Sequence, residues 1–109
     1  MVKKKIPEKI NKTVRGYAIR LSKQEKLPIS KVIVFGSHAR GKTRKWSDID
    51  VCVVSPKFKD SIQALNYLLQ IRNDKEVKSG LEPIGFSMND FKKSSPLINE
   101  IRKTGIRVF

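Results

Sequence analysis

The stretch Val32-Ile33-Val34-Phe35-Gly36-Ser37-His38-Ala39-Arg40-Gly41-Lys42-Thr43-Arg44-Lys45-Trp46-Ser47-Asp48-Ile49-Asp50, continued by Val51-Cys52-Val53-Val54, decides how the rest of the chain is read. An apolar run ends in a Gly-Ser pair, and a second, β-branched run begins directly after two aspartates separated by one residue. Both runs are short and bounded by turn residues, so each reads as a buried strand. A glycine directly after a strand turns the chain sharply and lets backbone N–H groups approach a phosphate with no Cβ in the way. The Ser37 hydroxyl would add a hydrogen bond, and a short helix over residues 38–42 would aim its free N–H groups the same way. In a strand, residues i and i+2 face one side roughly 6.5–7 Å apart, which places the Asp48 and Asp50 carboxylates together at the strand entrance. Carboxylates side by side repel, and a divalent cation relieves that cost. Mg²⁺ binds one or two carboxylates plus substrate phosphates, and two such ions can clamp the attacking and leaving oxygens of a displacement.

Working outward, the apolar positions Ile10, Val14, Tyr17, Ala18 and Leu21 recur at helical spacing between Pro7 and Lys26. Leu27-Pro28-Ile29-Ser30 breaks that helix, Lys31 to Phe35 forms the first strand, and Ile49 to Ser55 forms the second. Lys42 to Ser47 reads as a basic loop. A second helix is expected from Ser61 to Asn73, with Ile62, Leu65, Leu68 and Leu69 on its inner stripe. Asp74 to Gly80 reads as a charged loop. Leu81 to Ser87 reads as a third strand, and Pro83 within it predicts an edge position or a bulge. Residues 89–93 and 96–104 look helical, with Pro96 starting the last helix and Gly105 ending it, and Ile106 to Phe109 is suited to a short terminal strand. The expected fold is α+β: one domain over residues 1–109, a small mixed sheet of three to four strands flanked by helices.

Composition sets the outer limits. A chain of 109 residues, 39% of them hydrophobic, has room for one modest core. No apolar stretch reaches the roughly 18 residues a membrane helix needs, and Lys3-Lys4-Lys5 leads into no signal-like apolar segment, so a cytoplasmic protein is expected. Cys52, the single cysteine, reads as a small buried hydrophobe, and with no Cys/His cluster there is no zinc or disulfide framework. The net charge of +14 attracts polyanions. Yet the basic residues fall mainly on the polar face of the first helix and have no interleaved aromatics for base stacking, so nucleic acid is not the favoured partner.

The combination of the Gly-Ser turn and the Asp-x-Asp pair resembles the nucleotidyltransferase superfamily that includes DNA polymerase beta. More narrowly, Gly36-Ser37-His38-Ala39-Arg40-Gly41 followed by Ser47-Asp48-Ile49-Asp50 is similar to the minimal nucleotidyltransferases, stand-alone domains of about this length. The ending Asn99-Glu100-Ile101-x-x-x-Gly105-Ile106 resembles that family's last helix and strand, and an αβαβαβ core is implied. The resemblance implies a third carboxylate on the next strand. Glu82 is the acid there, and it would complete a metal site with Asp48 and Asp50 and take the proton of an attacking hydroxyl. A glutamate followed by proline departs from the aspartate frequent at this place. Arg40 would contact phosphate or pair with one of the acids. Lys42, Arg44 and Lys45 read as a solvated loop, His38 occupies a variable position, and Trp46 is expected to pack against an adjoining helix.

The implied reaction is Mg²⁺-dependent transfer of a nucleoside monophosphate, AMP from ATP in the first instance, onto a hydroxyl. Gly36, Ser37 and Arg40 would hold the triphosphate. So short a chain has little surface for a second substrate, which points to a protein partner. Many minimal nucleotidyltransferases are antitoxins of a helical HEPN-type toxin, and some attach AMP to a toxin tyrosine. Two other classes stand beside this one: an antitoxin that acts by contact alone, and a basic nucleic-acid-binding accessory domain.

Overall fold

The computed structural model describes residues 6–36, 39 and 48–109. Helix α1 (Glu8–Lys23) leads into strand β1 (Lys31–Phe35), and strand β2 (Ile49–Val54) pairs with it antiparallel. Helices α2 (Ser61–Gln70) and α3 (Asp74–Lys78) then carry the chain to β3 (Leu81–Phe86), which runs parallel to β2. Helices α4 (Met88–Lys92) and α5 (Pro96–Thr104) lead to a two-residue strand β4 (Ile106–Arg107), antiparallel to β1. The sheet order is β3-β2-β1-β4, a mixed four-stranded sheet with helices on both faces.

Strand alternation sorts the core into two layers. Val32, Val34, Ile49, Val51 and Val53 face α1 and α2, where Val14, Tyr17, Leu21, Ala64 and Leu68 meet them. Ile33, Phe35, Cys52 and Val54 face the other way, against Phe91 of α4 and Ile98 and Ile101 of α5. Burial on both faces is why β1 and β2 read as continuous apolar runs. Pro83 lies in β3, an edge strand, as its missing N–H predicts. Pro96 starts α5, and the Ser95 hydroxyl caps it by accepting the Ile98 N–H. Among the described residues no helix is long and apolar enough to cross a membrane.

Two expectations fail. Residues 74–80 are not a loop, because Asn73 and Glu76 form a capping box that starts α3. The Asn73 side chain accepts the Glu76 N–H at 2.8 Å, and the Glu76 carboxylate accepts the Asn73 N–H at 2.9 Å. The inner stripe of α2 is also different. Ala64 and Leu68 point to the core, whereas Ile62 is 72% exposed and Leu65 is exposed as well. Close approach to β3 selects that rotation: a Cβ on Gly85 would stand only 2.8 Å from Ala64 Cβ and from Phe58 Cε2. Ala64 and Leu68 of α2 both pack against that glycine, the Leu68 Cδ1 3.0 Å from where its Cβ would stand, so this side of α2 turns inward and Ile62 and Leu65 turn out.

Candidate active site

Register brings the acids together. Phe35 at the end of β1 pairs with Asp50, and Asp50 pairs on its other side with Glu82 of β3. Neighbouring strands stand about 4.8 Å apart, so Asp50 and Glu82 are lateral neighbours. Asp50 alternates with the inner pair Ile49 and Val51 and shares its sheet face with Cys52 and Val54. The same alternation puts Glu82 on the face of Ile84 and Phe86. Asp48, one residue before β2, is exposed, as is Glu82, while Asp50 is half-buried. The three acids therefore lie at one end of the sheet, beyond the apolar residues that α4 and α5 cover.

Gly36 has a second role besides the turn. Its φ of +74° is in the left-handed region that favours glycine. A Cβ at this position would overlap Oδ2 of Asp50 and stand 3.1 Å from its Cγ. The space left by the missing side chain is thus where the Asp50 carboxylate rests. Glycine here permits both the backbone turn and the position of the acid.

The donors are carboxylate oxygens only, the chemistry that suits a hard divalent cation; Asp50 and Glu82 hold adjacent register positions, and Asp48 and Glu82 are open to solvent. Among the described residues no three His, Cys, Asp or Glu side chains already stand as a metal-ligating group. Ser37 and Arg40, the expected phosphate contacts beside Gly36, lie outside the described residues, as do His38, Lys42, Arg44, Lys45 and Trp46.

Other acids have structural work. Glu76 is buried and accepts from Arg20 Nε at 3.0 Å and from its terminal nitrogen at 2.6 Å, which ties α3 to α1. Arg20 also donates to the Ile71 carbonyl at 2.5 Å. The Asn73-x-x-Glu76 spacing signals only the cap of α3; the pairing of Glu76 with Arg20 joins residues 56 positions apart and has no local signal. Asp60 caps α2 by accepting the Gln63 N–H at 2.8 Å. Cys52 is fully buried, and desolvation pushes its thiol up from 9.0 to about 12, so it is a core residue as expected.

One end of the mixed sheet thus carries a Gly turn after β1 and acids on β2 and β3. The chain belongs to the nucleotidyltransferase domain family, whose profile matches residues 17–107. Solved structures agree on the fold. A protein described as a putative nucleotidyltransferase from Sulfolobus solfataricus has a TM-score of 0.62 at 18% identity, over 91% of this chain and 78% of that one. A toxin–antitoxin complex solved with AMP-PNP has a TM-score of 0.59 at 17% identity, over 86% of this chain and 71% of that one. A mutant of the toxin–antitoxin pair MntA–HpeT, with two aspartates two positions apart changed to glutamate, has a TM-score of 0.57 at 17% identity and the same coverage. Among curated proteins none matches.

Proposed function

We propose that this domain, over residues 1–109, transfers a nucleoside monophosphate, AMP from ATP, onto a hydroxyl group of a partner protein. The observation that carries the reading is the register that sets Asp50 beside Glu82, with Asp48 at the strand entrance and the Asp50 carboxylate resting against Gly36. In this reading Asp48, Asp50 and Glu82 hold Mg²⁺, two ions in the full complement. When bound, the metal neutralises charge at the α-phosphate and orients the acceptor oxygen. Gly36, Ser37 and Arg40 hold the β- and γ-phosphates. The acceptor oxygen bonds to the α-phosphorus, the bond to the bridging oxygen breaks, and pyrophosphate leaves. Glu82 takes the hydroxyl proton. Positioning and electrostatics supply most of the rate.

The structural neighbours support the partner side of the reading. Two of them are toxin–antitoxin pairs, one bound to an ATP analogue and one altered at a pair of aspartates spaced like Asp48 and Asp50. We therefore assign the chain the role of antitoxin to a HEPN-type helical toxin, acting in the cytoplasm where ATP and Mg²⁺ are supplied. The test is incubation with α-labelled ATP, Mg²⁺ and the product of the adjacent gene. Label is expected on that product, and Asp48→Asn is expected to abolish it while thermal unfolding stays unchanged. Undiminished labelling by the mutant would remove Asp48 from the mechanism. A tight complex with no label from the unaltered chain would favour an antitoxin that acts by contact alone.

A further inference from the structure

Helix α2 presents solvent with residues that a surface helix ordinarily buries. Ile62 is 72% exposed, Leu65 is exposed one turn on, and Leu69 is half-buried one turn further. Positions 62, 65 and 69 fall on one stripe of a helix. This stripe is not part of the core, since Ala64 and Leu68 on another side of α2 already fill the space over β3. From Ser61 to Ile71 the sequence holds no charged residue, in a chain of which 31% is charged. Apolar anchors without charge are what the buried centre of an interface needs, and a charged rim completes one. The exposed charges that flank α2 in sequence are Lys57, Lys59 and Asp60 before it and Asp74, Lys75 and Lys78 after it, with lysine in excess.

The charge decides between occupants. A second copy would bring two chains of net charge +14 together. A partner of opposite charge gains from the same lysines. We propose that the Ile62-Leu65-Leu69 stripe of α2 is the docking face for an acidic partner protein that presents an apolar helix rimmed by carboxylates. The proposal rests on the protein partner assigned above and names the surface it uses. Helix α2 packs on the face of Val51 and Val53, opposite the face that carries Asp50. Docking on α2 therefore leaves the acidic end of the sheet open, so binding and transfer are separable.

The experiment measures complex formation between the full chain and the product of the adjacent gene by titration calorimetry. Ile62→Glu and Leu65→Glu are each expected to weaken the complex about tenfold or more, the loss of one buried aliphatic contact. Ile62→Glu should keep the unfolding temperature of the unaltered chain, because that side chain is 72% exposed. Asp48→Asn should bind as well as the unaltered chain, and rising salt should weaken every complex. A complex that survives both glutamate variants would overturn the assignment of α2 and leave the protein partner standing. No complex with the unaltered chain would overturn the partner and the surface together. Self-association of the chain alone that these variants abolish would make the occupant a second copy and would also overturn the proposal.

Discussion

Replacing Gly36 by alanine tests the geometry on which the site depends. The new Cβ meets two obstacles at once. The left-handed backbone at φ +74° costs a residue with a Cβ about 1–2 kcal/mol. The Asp50 carboxylate must also move, because the Cβ would overlap Oδ2 and crowd Cγ at 3.1 Å. Turning that side chain out of its rotamer adds about 1 kcal/mol. The expected sum is about 2–3 kcal/mol, and at roughly 4–8 °C per kcal/mol for domains near this size the unfolding temperature should fall by about 10–20 °C. Nucleotidyl transfer should fall further than the folded fraction does, since the acid itself is displaced. A double-mutant cycle separates the two costs. In an Asp50→Ala background the steric part disappears, so Gly36→Ala should cost about 1 kcal/mol less there than in the unaltered chain. Costs that simply add, with no coupling between positions 36 and 50, would refute the role of Gly36 as a rest for the carboxylate.

Two further predictions concern the scaffold. Glu76→Ala removes a buried ion-pair partner and one half of a capping box, and should destabilise by about 2–4 kcal/mol. The double replacement Arg20→Met/Glu76→Leu should recover most of that loss in chemical denaturation; no recovery would mean the ion pair is not the source. Burial raises the Cys52 thiol from 9.0 to about 12 and raises the Tyr17 phenol as well. The unfolded chain therefore loses these protons first. Stability from Cys52 is complete below pH 9 and falls by about 1.4 kcal/mol per pH unit towards pH 12, so the unfolding temperature should decline above pH 9. The folded protein should also resist thiol alkylation at pH 8, and rapid alkylation without unfolding would place Cys52 nearer solvent than the core.

The strands were legible because their signals are local. Val32 to Phe35 and Val51 to Val54 are apolar on both faces, and each ends in turn residues. Proline at 83 and 96 marked an edge strand and a helix start for equally local reasons. Helix α3 was also written locally, in Asn73-x-x-Glu76, yet its charges made it resemble a loop. The rotation of α2 could not be read this way. Ile62, Leu65, Leu68 and Leu69 satisfy a helical stripe as well as Ala64, Tyr67, Leu68 and Ile71 do. What separates them is a glycine on β3, distant in sequence, whose missing side chain leaves the space that Ala64, Leu68 and Phe58 fill.

The site divides along the same line. Sequence alone determined that a Gly turn and an Asp-x-Asp pair sit at strand ends, because each borders a short run that is apolar on both faces. It also determined a charge of +14 and a helix without charge. Only the tertiary structure decided that Asp50 lies between Phe35 and Glu82, that its carboxylate occupies the space a Gly36 side chain would fill, and that Ile62 and Leu65 face solvent. The physical reason is that register and helix rotation are set by contacts between segments distant in sequence, and local propensity carries no information about them.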